Sequence, residues 1–349
     1  MALDFWCPSV AGSTGYGRVH VRLYRALKRI GAKLTDDPGA EDVTVHYGQP
    51  GLDPRLRKLW RVRPAGKFLF YSMFECSVPP EGWVDVIEGR LPGVEPADGL
   101  CVPSTWAGNM FRANGVTIPV HVVPHGVDAE EFPFVDRGIP SRPFTYLWQG
   151  VSPDDRKGGW LVREAFENLA LPADVHGGPW LVLKWMNRRP FYWKDNERRI
   201  EHIGVNLSDS EMLELLRRCD VSVNPTSGEG FGLIPLEHAA TGMATIVTDW
   251  SGPADYAGDV GMLRLGYELG PSVFGGQIGL KAIDAKPDEN DLEELMAMCF
   301  MDEDGARDMG RRSSERIHEH WTWERAARAL IDAVSEHVPR ETVMEAVHA

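Results

Sequence analysis

The amino-acid sequence predicts an α/β protein of two domains, each a doubly wound sheet of parallel strands. Three observations predict it. The chain has 349 residues, 43% hydrophobic and 25% charged, and at roughly 100–200 residues per domain that length fills two cores. Short apolar runs, bounded by glycine, proline or polar residues, alternate with segments whose apolar residues recur at helical spacing. A break at residues 132–143, with Pro133, Pro140 and Pro143, divides this alternation into two series. The first domain is expected over 1–135 and the second over 143–322, with a helical stretch at about 323–349 that is able to pack back on the first.

In the first series Val19, Leu23, Leu27 and Ile30 line one helix face, and Gly31 ends the run. The runs Val43–Tyr47, Lys67–Tyr71, Gly99–Val102 and Val120–Val123 are too short for helices and read as strands buried on both faces. The second series opens with a strand at Phe144–Gly150, then a helix at Trp160–Leu169 and a strand at Trp180–Trp185. It continues with a helix at Ser210–Arg218, a strand at Val221–Asn224, a helix at Leu236–Thr241 and a strand at Ala244–Asp249. The final helix spans Trp323–His337.

Composition excludes several function classes. Five cysteines, far apart and without C-x-x-C spacing, suggest neither a disulfide framework nor a zinc site. Eleven histidines show no H-E-x-x-H spacing, so no metal ligands are assigned. No stretch reaches the ~18 apolar residues of a membrane span, and the N-terminus lacks a basic, then apolar leader. The expectation is a cytoplasmic protein without stable membrane insertion. A net charge of −14, from 37 basic and 51 acidic residues, argues against broad phosphate-backbone binding.

The densest chemical signal is Asn224-Pro-Thr-Ser-Gly-Glu229-Gly-Phe231-Gly232-Leu233-Ile-Pro-Leu-Glu237, which follows a strand and opens a helix. Its glycines let backbone approach a ligand closely, and the N–H groups of a helix start favour an anionic or oxygen-rich partner. Glu229 and Glu237 bracket the turn and are suited to accept hydrogen bonds from sugar or ribose hydroxyls. A plainer reading makes Glu237 a partner of the helix dipole and Glu229 a solvated acid.

Taken with Ala239-Ala-Thr-Gly-Met-Ala-Thr-Ile-Val-Thr-Asp and Ser251-Gly-Pro, the E-x7-E segment resembles the donor-site signature of retaining family-4 glycosyltransferases of the GT-B fold. Val102-Pro-Ser-Thr-Trp, Val122-Val-Pro-His-Gly-Val-Asp128, the turn Gln149-Gly-Val-Ser-Pro-Asp-Asp-Arg156-Lys157-Gly158 and Trp321-Thr-Trp-Glu resemble further segments of that family, in order. The resemblance runs from about Gly12 to about Leu330 and is weakest over residues 36–68. It implies two Rossmann-like domains facing across a cleft and transfer of a hexosyl or pentosyl group from a nucleoside-diphosphate sugar to a hydroxyl acceptor.

Carried over residue by residue, the resemblance implies that Arg156 and Lys157 neutralise the donor diphosphate, that Glu229 holds the sugar and that Glu237 holds the ribose. Phe231, Gly232 and Leu233 would offer backbone to sugar and phosphates, and the loop with Gly15 and Gly17 would lie against the phosphates. Many relatives carry a histidine after a strand of the first domain. Here the segment is Ser72-Met-Phe-Glu75, whose carboxylate is a candidate to orient or deprotonate the acceptor. The family implication is metal-independent transfer with no cofactor beyond the donor. Alternatives of the same architecture are a sugar-nucleotide epimerase, a phosphorylase and a catalytically degenerate sugar-nucleotide-binding protein. Saccharide, protein, lipid and modified nucleobase all stay open as acceptors. Nucleic acid enters only as acceptor, on the strength of Arg188, Arg189, Phe191, Tyr192, Trp193 and Lys194. The donor base stays unassigned near His202-Ile-Gly-Val-Asn-Leu-Ser.

Overall fold

A computed structural model describes residues 2–7, 15–36, 43–51, 66–138, 142–152, 156–169, 178–185 and 190–345. The chain divides into two compact units, Met1–Gly126 with Trp321–Ala349, and Val127–His320.

The first unit holds β1 (Leu3–Trp6), β2 (Val43–Tyr47), β3 (Phe68–Tyr71), β4 (Gly99–Val102) and β5 (Val120–Val122). All neighbours are parallel, in the order β1-β2-β3-β4-β5. β2, β3 and β4 are buried at every position, which is why they read as continuous apolar runs. The helix Gly15–Arg29 buries Val19, Leu23, Ala26 and Leu27, and packs on the helix Trp323–Ser335, which buries Ala326, Ala327, Leu330, Ile331 and Val334. Arg29 reaches Glu324 across that pair at 2.9 Å. The helix therefore starts at Gly15, before the first apolar position at Val19. Tertiary contacts override the poor helix propensity of its glycines: the Tyr16 hydroxyl donates to the Met73 carbonyl at 3.1 Å, and its ring lies 5.4 Å from that of Tyr47.

The second unit holds a seven-stranded sheet. Its strands are β6 (Thr145–Gly150), β7 (Trp180–Trp185), β8 (Tyr192–Asp195), β9 (Ile200–Ile203), β10 (Val221–Asn224), β11 (Ala244–Thr248) and β12 (Leu263–Leu265). The order is β12-β11-β10-β6-β7-β9-β8, parallel except for the antiparallel edge strand β8. From β6 the chain moves to β7 and β9, then returns past β6 to β10, β11 and β12. The reversal places a topological switch point between β6 and β10, the position at whose carboxyl ends open α/β sheets bind ligands. In the first sheet the described strands run in sequence order without such a reversal. A hairpin, β13 (Tyr267–Pro271) with β14 (Ile283–Pro287), extends the second unit.

The expected boundary at residue 135 falls inside the second unit, because Val135 and Arg137 are hydrogen-bonded into it. Val135 N donates to Thr241 O at 3.0 Å. The buried Arg137 guanidinium donates to Cys219 O at 2.7 Å, Leu216 O at 3.1 Å and Thr241 Oγ1 at 3.0 Å, and also to Thr241 O. These acceptors follow or end the helices Asp209–Arg217 and Leu233–Ala240, so one cation closes the carbonyl ends of both. Burial, opposed by the charge of Asp220, pushes the Arg137 pKa down to about 10.

Candidate donor site in the second unit

The switch point is where the two loops with chemical signals meet. The turn carrying Arg156 and Lys157 leaves β6, and the glycine loop with Glu229 leaves β10. Ser227 N donates to Arg156 O at 2.8 Å, joining the loops by backbone. Gly158, at φ 70°, permits the close approach, since a Cβ there would sit 2.5 Å from Pro225 O. Trp148 donates its indole N–H to Lys157 O at 2.9 Å.

Glu229 is 7% exposed. Arg156 Nη1 lies 2.8 Å from its Oε1, and Lys157 Nζ contacts the same oxygen. Burial works against the charge of this carboxyl, yet the two cations and their hydrogen bonds hold its pKa below the ordinary carboxylate value. Arg156 also donates to Gly228 O at 2.6 Å and faces the Phe274 ring at 5.7 Å. Below, Glu229 N donates to Ser251 Oγ at 2.9 Å, and Gly252 N donates to Glu229 O at 2.9 Å. Ser251 adopts φ 61°, a left-handed backbone uncommon for a residue with a side chain. The sequence segment Ser251-Gly-Pro thus supplies the shelf on which Glu229 rests.

Phe231 is buried against Tyr256, rings 5.3 Å apart. Gly232, at φ 88°, caps the helix Leu233–Ala240, and its carbonyl accepts from the Tyr256 hydroxyl at 2.5 Å. A Cβ on Gly232 would meet Pro253 at 2.8 Å. The helix starts at Leu233, ahead of the expected Leu236, because Pro235 falls in the first turn, where a missing N–H costs nothing. Glu237 is buried in the second turn. Its neighbour His238 joins three elements. Asn224 Nδ2 donates to Ser222 Oγ at 2.8 Å, Ser222 Oγ lies 2.7 Å from His238 Nδ1, and His238 Nε2 lies 3.0 Å from Gln149 Oε1. Since Gln149 Oε1 only accepts, His238 carries its proton on Nε2 and accepts from Ser222. Burial, then the charge of Arg137, pushes the His238 pKa down to about 3, so the ring is neutral.

Arg156, Lys157, Glu229, Phe231, Gly232, Leu233 and Glu237 therefore lie on two adjoining segments of one unit. Gly15, Gly17 and Glu75 belong to the other. Gly15 and Gly17 form the first turn of a helix, Glu75 is half-buried in a bend beyond β3, and the Tyr16–Met73 bond links their segments. Of the basic and aromatic cluster, Arg188 and Arg189 lie outside the described residues, while Tyr192 and Trp193 are exposed on β8. His202 is buried between Trp185 and Trp193. Among the described residues no group of three or more His, Cys, Asp or Glu is placed to hold a metal ion, and no helix is long and apolar enough to cross a membrane.

Comparison with solved structures reproduces this architecture. Sucrose-phosphate synthase from Thermosynechococcus elongatus superposes with a TM-score of 0.63 at 15% identity, over 96% of this chain and 99% of that one. Residues 184–330 match the family described as Family 4 Glycosyltransferase in conflict systems. The chain has the GT-B fold. The GT-B likeness extends to Anabaena HepE, solved in complex with UDP, with a TM-score of 0.65 at 11% identity over 96% of this chain and 100% of that one. In sequence the chain is 26% identical over 215 residues to glycogen synthase of Mycobacterium tuberculosis, which covers 60% of this chain and 47% of that protein. The chain thus spans about half the length of the curated relatives it matches.

Proposed function

We propose that this GT-B protein is a retaining glycosyltransferase that moves a hexosyl or pentosyl group from a nucleoside-diphosphate sugar to a hydroxyl acceptor, without a metal ion. The observation that carries the reading is the Arg156–Glu229–Lys157 cluster at the switch point of the second sheet. Two cations gathered on one buried carboxylate are a diphosphate site in waiting. On donor binding, Arg156 and Lys157 exchange that carboxylate for phosphate oxygens, and Glu229 turns to the sugar hydroxyls. As the glycosidic bond breaks, charge grows on the leaving diphosphate, and fixed cations stabilise it without reorganisation. Glu237 holds the ribose, and the backbone at Phe231, Gly232 and Leu233 approaches the sugar. The resemblance of the sequence also assigns Gly15 and Gly17 to the phosphates and Glu75 to the acceptor hydroxyl. Retention follows from attack on the face that the diphosphate leaves, with a phosphate oxygen taking the acceptor proton. The names of glycogen synthase and sucrose-phosphate synthase, and the UDP bound to HepE, support a nucleotide-sugar donor.

The test is product stereochemistry. With an α-linked donor and an acceptor found by screening for nucleotide release, proton NMR of the first product is expected to show an α-linkage, at a rate unchanged by a chelator. A β-linked first product contradicts the retaining mechanism, and a rate abolished by chelation contradicts metal independence.

A further inference from the structure

Lys184 is used by neither the core nor the donor site as described so far. It is the penultimate residue of β7 and is 4% exposed. Its Nζ donates one long bond, 3.3 Å, to the carbonyl of Trp185, the last residue of that strand. The ammonium therefore lies at the carboxyl edge of the sheet, with N–H bonds to spare. Among the described residues no carboxylate lies within ion-pair distance of it, and burial lowers its pKa with no neighbouring charge to offset the effect. A buried ammonium without a counter-charge is costly, and it persists where a ligand completes it.

A second donor stands beside it. In the parallel register Lys184 pairs with Gln149 of β6, so both side chains leave the same face of the sheet. The Gln149 oxygen is taken by His238, and its amide nitrogen has no protein acceptor among the described residues. His238 lies on the helix Leu233–Ala240, which therefore covers this face, and Glu237 is its neighbour on that helix. From a diphosphate between the ends of β6 and β10, a nucleoside that reaches β7 crosses one strand spacing of about 5 Å beyond β6.

We propose that Lys184, with Gln149 beside it, reads a carbonyl oxygen on the base of the bound nucleoside diphosphate, an inference that rests on the donor-site reading above. Ammonium and amide N–H groups donate and do not accept. An oxo group, as on uracil, thymine or guanine, satisfies them, whereas the amino group of cytosine or adenine at the equivalent place sets donor against donor. Sites that hydrogen-bond a substrate group discriminate strongly against analogues that lack it.

The test is calorimetric binding of the five common nucleoside diphosphates to wild-type protein, Lys184→Met and Gln149→Leu. Wild type is expected to bind one oxo-base diphosphate at least about tenfold more tightly than the amino-base counterpart of the same ring class. Lys184→Met, which keeps the volume and removes an uncompensated charge, is expected to fold and to reduce that ratio to about threefold or less, with Gln149→Leu falling between. An amino-base preference in wild type, or a ratio unchanged in both variants, overturns the proposal and leaves the donor site standing. Wild type that binds none of the five contradicts the donor-site reading itself, and this inference with it.

Discussion

Glu229→Ala is expected to lower turnover by about two to three orders of magnitude while leaving nucleoside diphosphate binding undiminished. The separation of the two effects follows from the geometry. The Glu229 carboxylate is in contact with Arg156 and Lys157, so the diphosphate must displace it. Removing it relieves that competition and deletes the group assigned to the sugar. Affinity for the bare nucleotide therefore holds or rises as turnover falls, the pattern of an interaction made with the reacting part of the substrate. Lys157→Ala is expected to behave differently. It removes a cation from the leaving group, so nucleotide affinity and turnover fall together, turnover by a similar factor of about a hundred or more. Steady-state kinetics beside calorimetry reads both quantities. Near-wild-type turnover in either variant removes that residue from the catalytic set.

The second large effect is on stability. Arg137→Met is expected to destabilise the second unit by about 3–5 kcal/mol, as measured by urea unfolding. The guanidinium serves backbone carbonyls at the ends of two helices, together with the Thr241 hydroxyl. Methionine fills the volume but leaves those acceptors buried and unsatisfied, at about 1–3 kcal/mol each when no water reaches them. Lysine cannot replace the fork of donors from one point charge, so Arg137→Lys is expected to recover less than half of the loss. Because the helix Leu233–Ala240 carries Glu237 and His238, nucleotide affinity should weaken alongside. A loss below about 1 kcal/mol for Arg137→Met would mean that water replaces the guanidinium and that the helix ends are not set by it.

These two predictions also mark what was legible in the sequence. The Glu229 loop, the Arg156–Lys157 turn and the strands that feed them stand out because backbone, charge and glycine signals coincide within a few residues. Arg137 gave no such signal. It sits in a proline-bearing stretch that reads as linker, and all but one of its acceptors lie more than 75 residues away in sequence. Lys184 was hidden differently, as one charge inside the apolar run Trp-Leu-Val-Leu-Lys-Trp. The clue was available, since a strand buried on both faces has no solvent for an ammonium. The antiparallel edge strand β8 and the hairpin strand β13 have mostly exposed residues, so hydrophobic periodicity had little to report. The early start of the helix at Gly15 depends on Tyr16 reaching Met73, a contact that local propensity does not encode. The order of the strands is likewise set by long-range pairing, and only the structure puts the two motif loops side by side at the switch point.

The most direct test of a diphosphate site at that point needs no acceptor. It is a thermal-shift titration with the diphosphates of uridine, guanosine, adenosine, cytidine and thymidine, in chelator and in magnesium, on wild type and on Glu237→Ala. A ligand at ~100 times its dissociation constant adds about 2.7 kcal/mol to the folded state. The prediction is that one nucleotide raises the melting temperature of wild type equally with and without magnesium, and that Glu237→Ala loses the shift. A wild-type melting temperature unmoved by all five, or a shift that survives in Glu237→Ala, would contradict the assignment of this site.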